Sequence, residues 1–446
     1  MKFWRYALSV RIALILILAI TGVATAVDKI YIDIYGPFIR KIAIAIPKFK
    51  SIKADTQDDK ISEQIISVIS SDLTISGLFE ILDPASFIED PRKGSFYREE
   101  IDFRDWSVIG AECLLKGLIE RMNTSKKSLD LEMRLYDVGQ AKMVLGRRYT
   151  ADDSSLRRVA HHFSNEILRY FTGEDGPFLT KIAFLLSGKN GKDIYTMDYD
   201  GFNIKQITSD GGIKLSVSWS PDTNKIAFIS MKDGKTRLFV KHLILNRQWN
   251  VSIGAENYLT PSWSPDGNRL IFSASRDGNY DIYISNADGS NPVRLTDHWS
   301  VDLSPSFSPD GKYITFVSDR SGTPQVYIMN SDGSNIRRLT FQGSYNAQPS
   351  WSPRGDRIVF VSLSNGNNFD IFTINPDGSG LQKLTSSSGS NESPSWSPDG
   401  RLIAFSSTRD GKSQIFIMNA NGANQKRITN VKSAATNPSW SPRFEK

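Results

Sequence analysis

The chain repeats one hexapeptide six times: SWSPDT at 218–223, SWSPDG at 262–267, SFSPDG at 306–311, SWSPRG at 350–355, SWSPDG at 395–400 and SWSPRF at 439–444. The aromatic residues of successive copies are 44, 44, 44, 45 and 44 residues apart. A fixed period of roughly 40–50 residues is the length of one four-stranded blade of a β-propeller. The spacing therefore predicts an all-β propeller in the C-terminal part of the chain.

Each residue type in the hexapeptide has a physical role in such a blade. Proline presets φ for the first central position of a turn, aspartate hydrogen-bonds its own backbone, and glycine accepts a positive φ. The aromatic side chain is large enough to fill the wedge between neighbouring blades. After the second copy, strand-like segments follow at 270–274 and 281–284, and another ends at 294–296. One blade therefore consists of the aromatic strand and the three strands that follow it.

The number of blades follows from counting these units. The three later strands of a unit occur six times, beginning near Ile182, Ile226, Leu270, Ile314, Ile358 and Leu402. The first unit, residues 181–208, has no aromatic strand before it, and the last hexapeptide has no unit after it. We therefore predict that the last strand completes the first blade, which gives a six-bladed propeller closed by the C-terminal strand. Such closure removes the sheet edge that the incomplete first blade would otherwise expose to aggregation.

The first 26 residues have the pattern of a secretory signal peptide. Three basic residues lie in or beside a short apolar run at 12–20, and Ala24-Thr25-Ala26 is typical of a cleavage site. We expect cleavage after Ala26 and no membrane span in the processed chain. Because the only cysteine, Cys113, cannot form an internal disulfide, the exported chain suits a bacterial periplasm.

Two further segments separate the signal peptide from the propeller, which we predict over 176–446. Residues 27–38 are expected to form an N-terminal arm, and residues 39–175 an α/β domain with a mixed sheet and two helices. In the first helix, apolar residues recur with helical spacing from Ile61 to Leu73, and Gly77 is well placed to end it. For the second helix, with its apolar stripe over 156–171, we expect Asp153 to be the N-cap.

No group of residues in the sequence calls for catalysis, a metal or a cofactor. The four histidines have no metal-ligand spacing, and no G-x-S-x-G motif is present. Removing the signal peptide lowers the net charge from +6 to +3 (6 − 3), which does not favour nucleic acid as a partner. We therefore favour a monomeric, non-enzymatic binding protein. The alternative is a propeller-type hydrolase or lyase that acts on a glycan or peptide in the channel.

The segments that lead into the aromatic strands vary while the hexapeptides repeat, as recognition loops on a fixed frame do. All of them enter the channel-lining strands, so they are expected at one rim of the ring, where their side chains suit a protein partner. The candidate contact residues at this rim are Asn257, Tyr258, Thr260, Ser300, Asp302, Leu303, Tyr345, Asn346, Gln348, Asn391, Glu392 and Thr436.

Over essentially its whole length, the chain resembles the TolB family of the periplasmic Tol–Pal system. The signal peptide, the small α/β domain and the SWSPDG propeller carry the resemblance, together with residues 69–79 and 81–83, Asp198–Gly201, and PSWSP at 438–442. The resemblance implies that the propeller rim docks the peptidoglycan-associated lipoprotein Pal, with Asn257, Thr260 and Leu303 at matching positions.

The same resemblance implies a second partner and a cellular role. The N-terminal arm would reach the inner-membrane protein TolA, and its candidate contact residues are Val27, Asp28, Lys29, Ile30, Tyr31, Ile32 and Asp33. The family's role is to support outer-membrane integrity and constriction during cell division. It also implies that arm docking and Pal binding are coupled.

Overall fold

A computed structural model describes residues 40–52, 56–89, 95–121, 128–189, 191–276, 278–364, 367–386 and 389–444. The signal peptide expected at 1–26 and the arm expected at 27–38 lie outside these residues. Within the described ranges, no helix is both long enough and apolar enough to span a bilayer.

The N-terminal part is one mixed sheet with helices, as predicted. Its strands are β1 (Ile42–Ala45), β2 (Lys50–Ser51), β3 (Phe79–Ile81), β4 (Cys113–Arg121), β5 (Leu129–Asp137) and β6 (Lys142–Ala151). Its α-helices are α1 (Thr56–Ile75), α2 (Phe103–Val108) and α3 (Leu156–Thr172), and short 3-10 turns occupy Pro84–Ser86 and Arg98–Glu100. The sheet order is β3-β1-β4-β5-β6, with β2 beside β4; β1 runs parallel to β3 and β4, and β4, β5 and β6 are antiparallel. The short helix α2 was not predicted.

The two long helices form where their apolar spacing predicts them. Their apolar faces are buried against the sheet in one core, and Gly77, with φ 76°, follows the end of α1 in the left-handed conformation that glycine tolerates. The predicted cap of α3 is wrong, because Ser155 and not Asp153 is the N-cap residue. The carboxylate of Asp152 accepts hydrogen bonds from the backbone N–H and hydroxyl of Ser155, and this local turn sets where the helix starts.

The described residues of the C-terminal part form 24 strands. They are β7 (Lys181–Gly188), β8 (Gly191–Asp198), β9 (Lys205–Gln206), β10 (Gly212–Trp219), β11 (Lys225–Lys232), β12 (Lys235–His242), β13 (Arg247–Val251), β14 (Asn257–Trp263), β15 (Arg269–Arg276), β16 (Asn279–Asn286), β17 (Val293–Arg294), β18 (Asp302–Phe307), β19 (Tyr313–Ser318), β20 (Gln325–Asn330), β21 (Arg337–Arg338), β22 (Asn346–Trp351), β23 (Ile358–Leu363), β24 (Phe369–Ile374), β25 (Gln382–Lys383), β26 (Asn391–Trp396), β27 (Leu402–Ser407), β28 (Gln414–Asn419), β29 (Lys426–Arg427) and β30 (Ala435–Trp440).

Pairing of the last strand with the first blade confirms the predicted ring closure. Strand β30 is antiparallel to β7, with Trp440 opposite Ile182, so the first blade is β30-β7-β8-β9. The other five blades take four consecutive strands each, and β10, β14, β18, β22, β26 and β30 contact one another in a complete circle. The second blade differs from the rest, because its outer strand β13 has five residues where the other outer strands have two.

The hexapeptides hold both their own turns and the joints between blades. In the second copy, the Ser264 hydroxyl accepts from the backbone N–H of Arg269 at 2.9 Å, and Asp266 accepts from that of Asn268 at 3.0 Å. The indole of the buried Trp263 donates to the carbonyl of Ser218 in the preceding blade at 3.2 Å. Burial explains why the repeat has a large aromatic residue at this position, and the indole N–H adds a hydrogen bond in the copies with Trp263, Trp396 and Trp440.

Two hexapeptides have arginine in place of aspartate, and both contact the segment between the domains. Arg354 donates to the carboxylate of Glu174 at 2.8 Å, and Arg443 donates to the carbonyl of Asp175. These departures from the repeat fix the α/β domain over the hexapeptide side of the ring. The opposite side is formed by the N-terminal ends of the channel strands.

A buried polar cluster joins the two domains at the same side of the ring. His161 of α3 lies with Nδ1 2.8 Å from Asp72 of α1 and with Nε2 3.3 Å from Asp200 of the first blade. Tyr199, also in the first blade, donates to Asp72, and Arg157 donates to Asp200. Burial alone would lower the pKa of His161, but the two carboxylates outweigh it and raise the pKa to about 9.

Candidate functional site

The propeller mouth is defined here as the N-terminal ends of the six channel strands together with the loops that lead into them. Five residues before each aromatic residue, every channel strand has a buried side chain. These six residues are Lys214, Tyr258, Asp302, Asn346, Asn391 and Ala435. Four of them were predicted as contact residues, and the structure places all four behind the surface of the mouth.

The four buried side chains hold the loops of the mouth in position. The hydroxyl of Tyr258 accepts from the backbone N–H groups of Ile253 and Ala255, at 2.9 and 3.2 Å. The carboxylate of Asp302 forms an ion pair of 2.9 Å with Arg320.

Asn346 and Asn391 hold the loops of the fifth and sixth blades in the same way. The Asn346 amide donates to Gln325 at 2.8 Å, and the amide oxygen of Asn391 accepts from Arg409, also at 2.8 Å. Because buried polar groups cost free energy unless they are paired, these bonds fix the loop conformations before any partner arrives.

Just inside the mouth, five of the channel strands have a β-bulge next to a proline. The residue before each proline is a non-glycine residue with φ between 45° and 55°: Thr260, Ser304, Gln348, Ser393 and Asn437. Proline has no N–H for the ladder, so the pairing shifts at this point. The remaining strand, β10, has Val217 at the proline position, and its bulge between Lys214 and Ser216 has no residue with positive φ.

The bulges turn polar groups towards the neighbouring blade. The backbone N–H of Ser304 donates to the Thr260 hydroxyl at 3.1 Å, and that of Ser393 donates to the Gln348 amide oxygen at 2.7 Å. Thr260 and Gln348, both predicted as contacts, therefore also connect adjacent blades around the channel. A threonine with positive φ is strained, and such strain persists only where surrounding bonds enforce it.

The remaining predicted residues occupy different depths. Leu303, Glu392 and Thr436 are half-buried at the same position of three strands, one residue before the bulge residue. Asn257 is half-buried, and its amide oxygen accepts from the Thr236 backbone at 3.2 Å. Ser300 is buried beneath its loop.

The exposed part of the mouth is aromatic over the fourth and fifth blades. Trp299 is 78% exposed and Phe341 is 74% exposed, and Val301 and Tyr345 are partly exposed in the same two loops. The Trp299 loop is well ordered, because Asn279 donates to the carbonyl of His298 at 2.7 Å. Neither Trp299 nor Phe341 is among the contact residues predicted from the sequence.

The ring has one cavity beside Trp299 and one at the hexapeptide end of the channel. A cleft of about 520 Å³ beside Trp299 is also lined by Arg276, Asn279, Tyr283, Pro292, Arg294, Asp297 and His298. At the hexapeptide end of the channel, a cavity of about 360 Å³ is lined by residues of all six hexapeptides. Across the described ranges, no three His, Cys, Asp or Glu side chains are grouped to hold a metal ion.

Comparison with known proteins gives matches over both parts of the chain. A family profile described as "TolB beta propeller domain" matches residues 168–444, and one described as "TolB amino-terminal domain" matches residues 30–144. The "Tol-Pal system protein TolB" of Desulfosudis oleivorans is 36% identical over 217 residues, and that of Geobacter sulfurreducens is 39% identical over 212 residues. These alignments cover 49% and 48% of this chain and the same shares of the two relatives, so the chain spans about half the length of the curated relatives it matches.

A solved structure agrees over a longer stretch. The crystal structure of TolB from Acinetobacter baumannii matches with a TM-score of 0.77 and 25% sequence identity. The match covers 91% of this chain and 98% of that chain, which includes both the α/β part and the propeller.

Proposed function

The chain belongs to the TolB family of the Tol–Pal system, and from this membership we propose that it is a non-enzymatic periplasmic adaptor. In this role the propeller mouth binds a Pal-like peptidoglycan-associated lipoprotein, and the arm at 27–38 binds a TolA-like inner-membrane protein. The adaptor thereby supports outer-membrane integrity and constriction during division.

The observation that carries the proposal is the construction of the mouth. Its loops are held by buried ion pairs and amide bonds, and its exposed surface presents Trp299 and Phe341 on that rigid frame. Large aromatic side chains on pre-organised loops contribute much of the affinity in protein interfaces, because little conformational entropy is lost on binding. The buried Tyr258, Asp302, Asn346 and Asn391 act by positioning these loops.

The arm remains a proposal that rests on family membership. The clusters on the hexapeptide side, around His161 and Glu174, tie the α/β domain to the ring. We propose that a change in the arm's environment reaches the mouth through such contacts between the domains. Coupling between two such sites must be reciprocal, so TolA-like binding and Pal-like binding would change each other's affinity by the same factor.

The mouth can be tested by removing its exposed aromatic side chains. We expect Trp299→Ala and Phe341→Ala each to weaken binding of the Pal-like lipoprotein by about 30-fold, as at interface hot spots worth ~2 kcal/mol. Titration calorimetry with the purified lipoprotein measures the effect. The matched control is Tyr313→Ala, which removes an exposed aromatic residue at the start of β19, on the hexapeptide side. Equal affinities for all four proteins would exclude the mouth as the binding surface.

A further inference from the structure

The hairpin between β12 and β13 in the second blade has an apolar tip. In the third to sixth blades the corresponding turn is polar and contains Asp-Gly or Asn-Gly, as at 286–289 and 419–422. In the second blade, residues 243–246 form the turn, and Ile244 and Leu245 are 75% and 59% exposed. Leu243 packs against the core between the first and second blades, so the fold needs only the first of these three apolar residues.

The strands behind this tip carry basic residues without acidic partners. Lys241 and Arg247 lie beside the tip, whereas Lys235 and Arg237 lie towards the mouth end of β12, and none of the four forms an ion pair with a carboxylate among the residues that the structure describes. Over residues 224–250 the sequence has six lysines and arginines and a single acidic residue, Asp233. We call residues 235–251 the basic hairpin.

The third blade shows what a neutral blade looks like in the same fold. There Arg294 of the outer strand β17 pairs with Asp281 at 2.6 Å and with Asp297 at 2.9 Å. Over the equivalent residues 268–294, three basic residues are matched by three acidic ones. The unpaired charge of the second blade is therefore a property of its own sequence and not of the propeller repeat.

From these features we propose that the basic hairpin docks on a bilayer surface that contains anionic phospholipid. Two protruding apolar side chains suit the boundary between headgroups and acyl chains, and flanking lysines and arginines are attracted to the negative lipid surface. The positive charge beside the tip favours an anionic surface, and a fluid bilayer accepts protruding apolar side chains without a preformed cavity.

The tip lies away from the proposed partner site. The backbone N–H of Leu243 donates to the carbonyl of Asn224, which directly follows the first hexapeptide, at 2.7 Å. The tip is therefore on the hexapeptide side, at the far ends of the strands from the propeller mouth. Contact with a membrane leaves the mouth accessible, so the two binding events can occur together.

Vesicle co-sedimentation tests this proposal. The protein used lacks residues 1–26, because the apolar run in that segment would itself enter a bilayer. We expect binding to phosphatidylcholine vesicles that contain phosphatidylglycerol to exceed binding to pure phosphatidylcholine vesicles at least tenfold and to weaken with added salt. The double variant Lys241→Gln/Arg247→Gln should lose roughly 25-fold, at about fivefold per cation. The double variant Ile244→Ser/Leu245→Ser should lose roughly tenfold or more.

The control variants remove side chains of the same kinds at other positions on the propeller. Val293→Ser removes an exposed apolar residue of the third blade, and Lys312→Gln removes an exposed cation of the fourth, and both should bind vesicles like the unchanged protein. Equal binding to neutral and anionic vesicles, or no loss in either hairpin double variant, would overturn the proposal. An acidic protein would then be the remaining candidate for the partner of the hairpin.

Discussion

A protein that lacks residues 437–446 is expected to lose the folded propeller altogether. The deletion removes most of β30, including Trp440, which is buried and donates from its indole to the Thr180 hydroxyl at 2.7 Å. It also removes Ser441, which exchanges hydrogen bonds of 2.8 and 2.9 Å with Lys181. The first blade would then expose the edge of β7, and an unpaired edge favours aggregation.

The size of this effect can be bounded with a point variant. Trp440→Ala alone should cost about 3–5 kcal/mol, as for other buried aromatic residues. Because whole domains are stable by only about 5–15 kcal/mol, losing the complete strand should leave no cooperative propeller transition. Calorimetric melting of both proteins checks this, with a deletion of only residues 445–446 as the control. A truncated protein that melts like the full chain would contradict ring closure by β30.

Replacement of His161 is expected to give the second largest effect. Below pH 6.5 the histidine is charged in both the folded and the unfolded state, and the cluster contributes its full stability. Its pKa is about 9 in the fold, above the ordinary value of 6.5, so this contribution is lost as the pH rises through about 9. This difference between the folded and the ordinary pKa corresponds to roughly 3 kcal/mol of folding stability near neutral pH or below.

The measurement is the free energy of unfolding of the unchanged protein and of His161→Gln as a function of pH. We expect the unchanged protein to be more stable by roughly 3 kcal/mol at pH 6 and the difference to shrink steadily between pH 7 and pH 10. Leu168→Ala, which removes a buried apolar side chain from the same helix, serves as the control and should destabilise the protein by an amount that does not depend on pH. A difference that stays constant over this range would show that His161 acts by packing and not by charge.

The fold was predictable because its signals are periodic. Six hexapeptides at a nearly constant spacing gave the number of blades, and the unmatched last copy gave the closure through Trp440. The resemblance to the TolB family is likewise confirmed by the profiles that match both parts of the chain. The helices of the α/β domain followed from apolar spacing, whereas the cap of α3 did not, because Asp152, Asp153 and Ser155 all offer capping side chains within four residues.

Whether a mouth residue is buried or faces the channel could not be predicted from the alternation of side chains along a strand. In a regular strand, residues five positions apart face opposite sides of the sheet. The bulge adds one residue to each channel strand, so Asp302 and Phe307 face the same buried side. Sequence spacing would therefore place Asp302 in the channel, and only the bulge shows that it belongs to the blade interior.

The interdomain contacts were also missed, although the sequence contained a signal for part of them. The two hexapeptides with arginine in place of aspartate, at Arg354 and Arg443, are the two that reach residues 174 and 175. His161 gave no such signal, since Asp72 lies 89 residues before it in the sequence. Only the packing of α1, α3 and the first blade brings these groups together.

The central claim is that the propeller mouth is the surface that receives the partner. The most direct test is hydrogen–deuterium exchange of the protein with and without the purified Pal-like lipoprotein. We expect slower exchange in the loops at 299–303 and 341–348, with unchanged exchange in the hexapeptide turns on the other side of the ring. Protection of the hexapeptide turns, with the mouth loops unchanged, would contradict it.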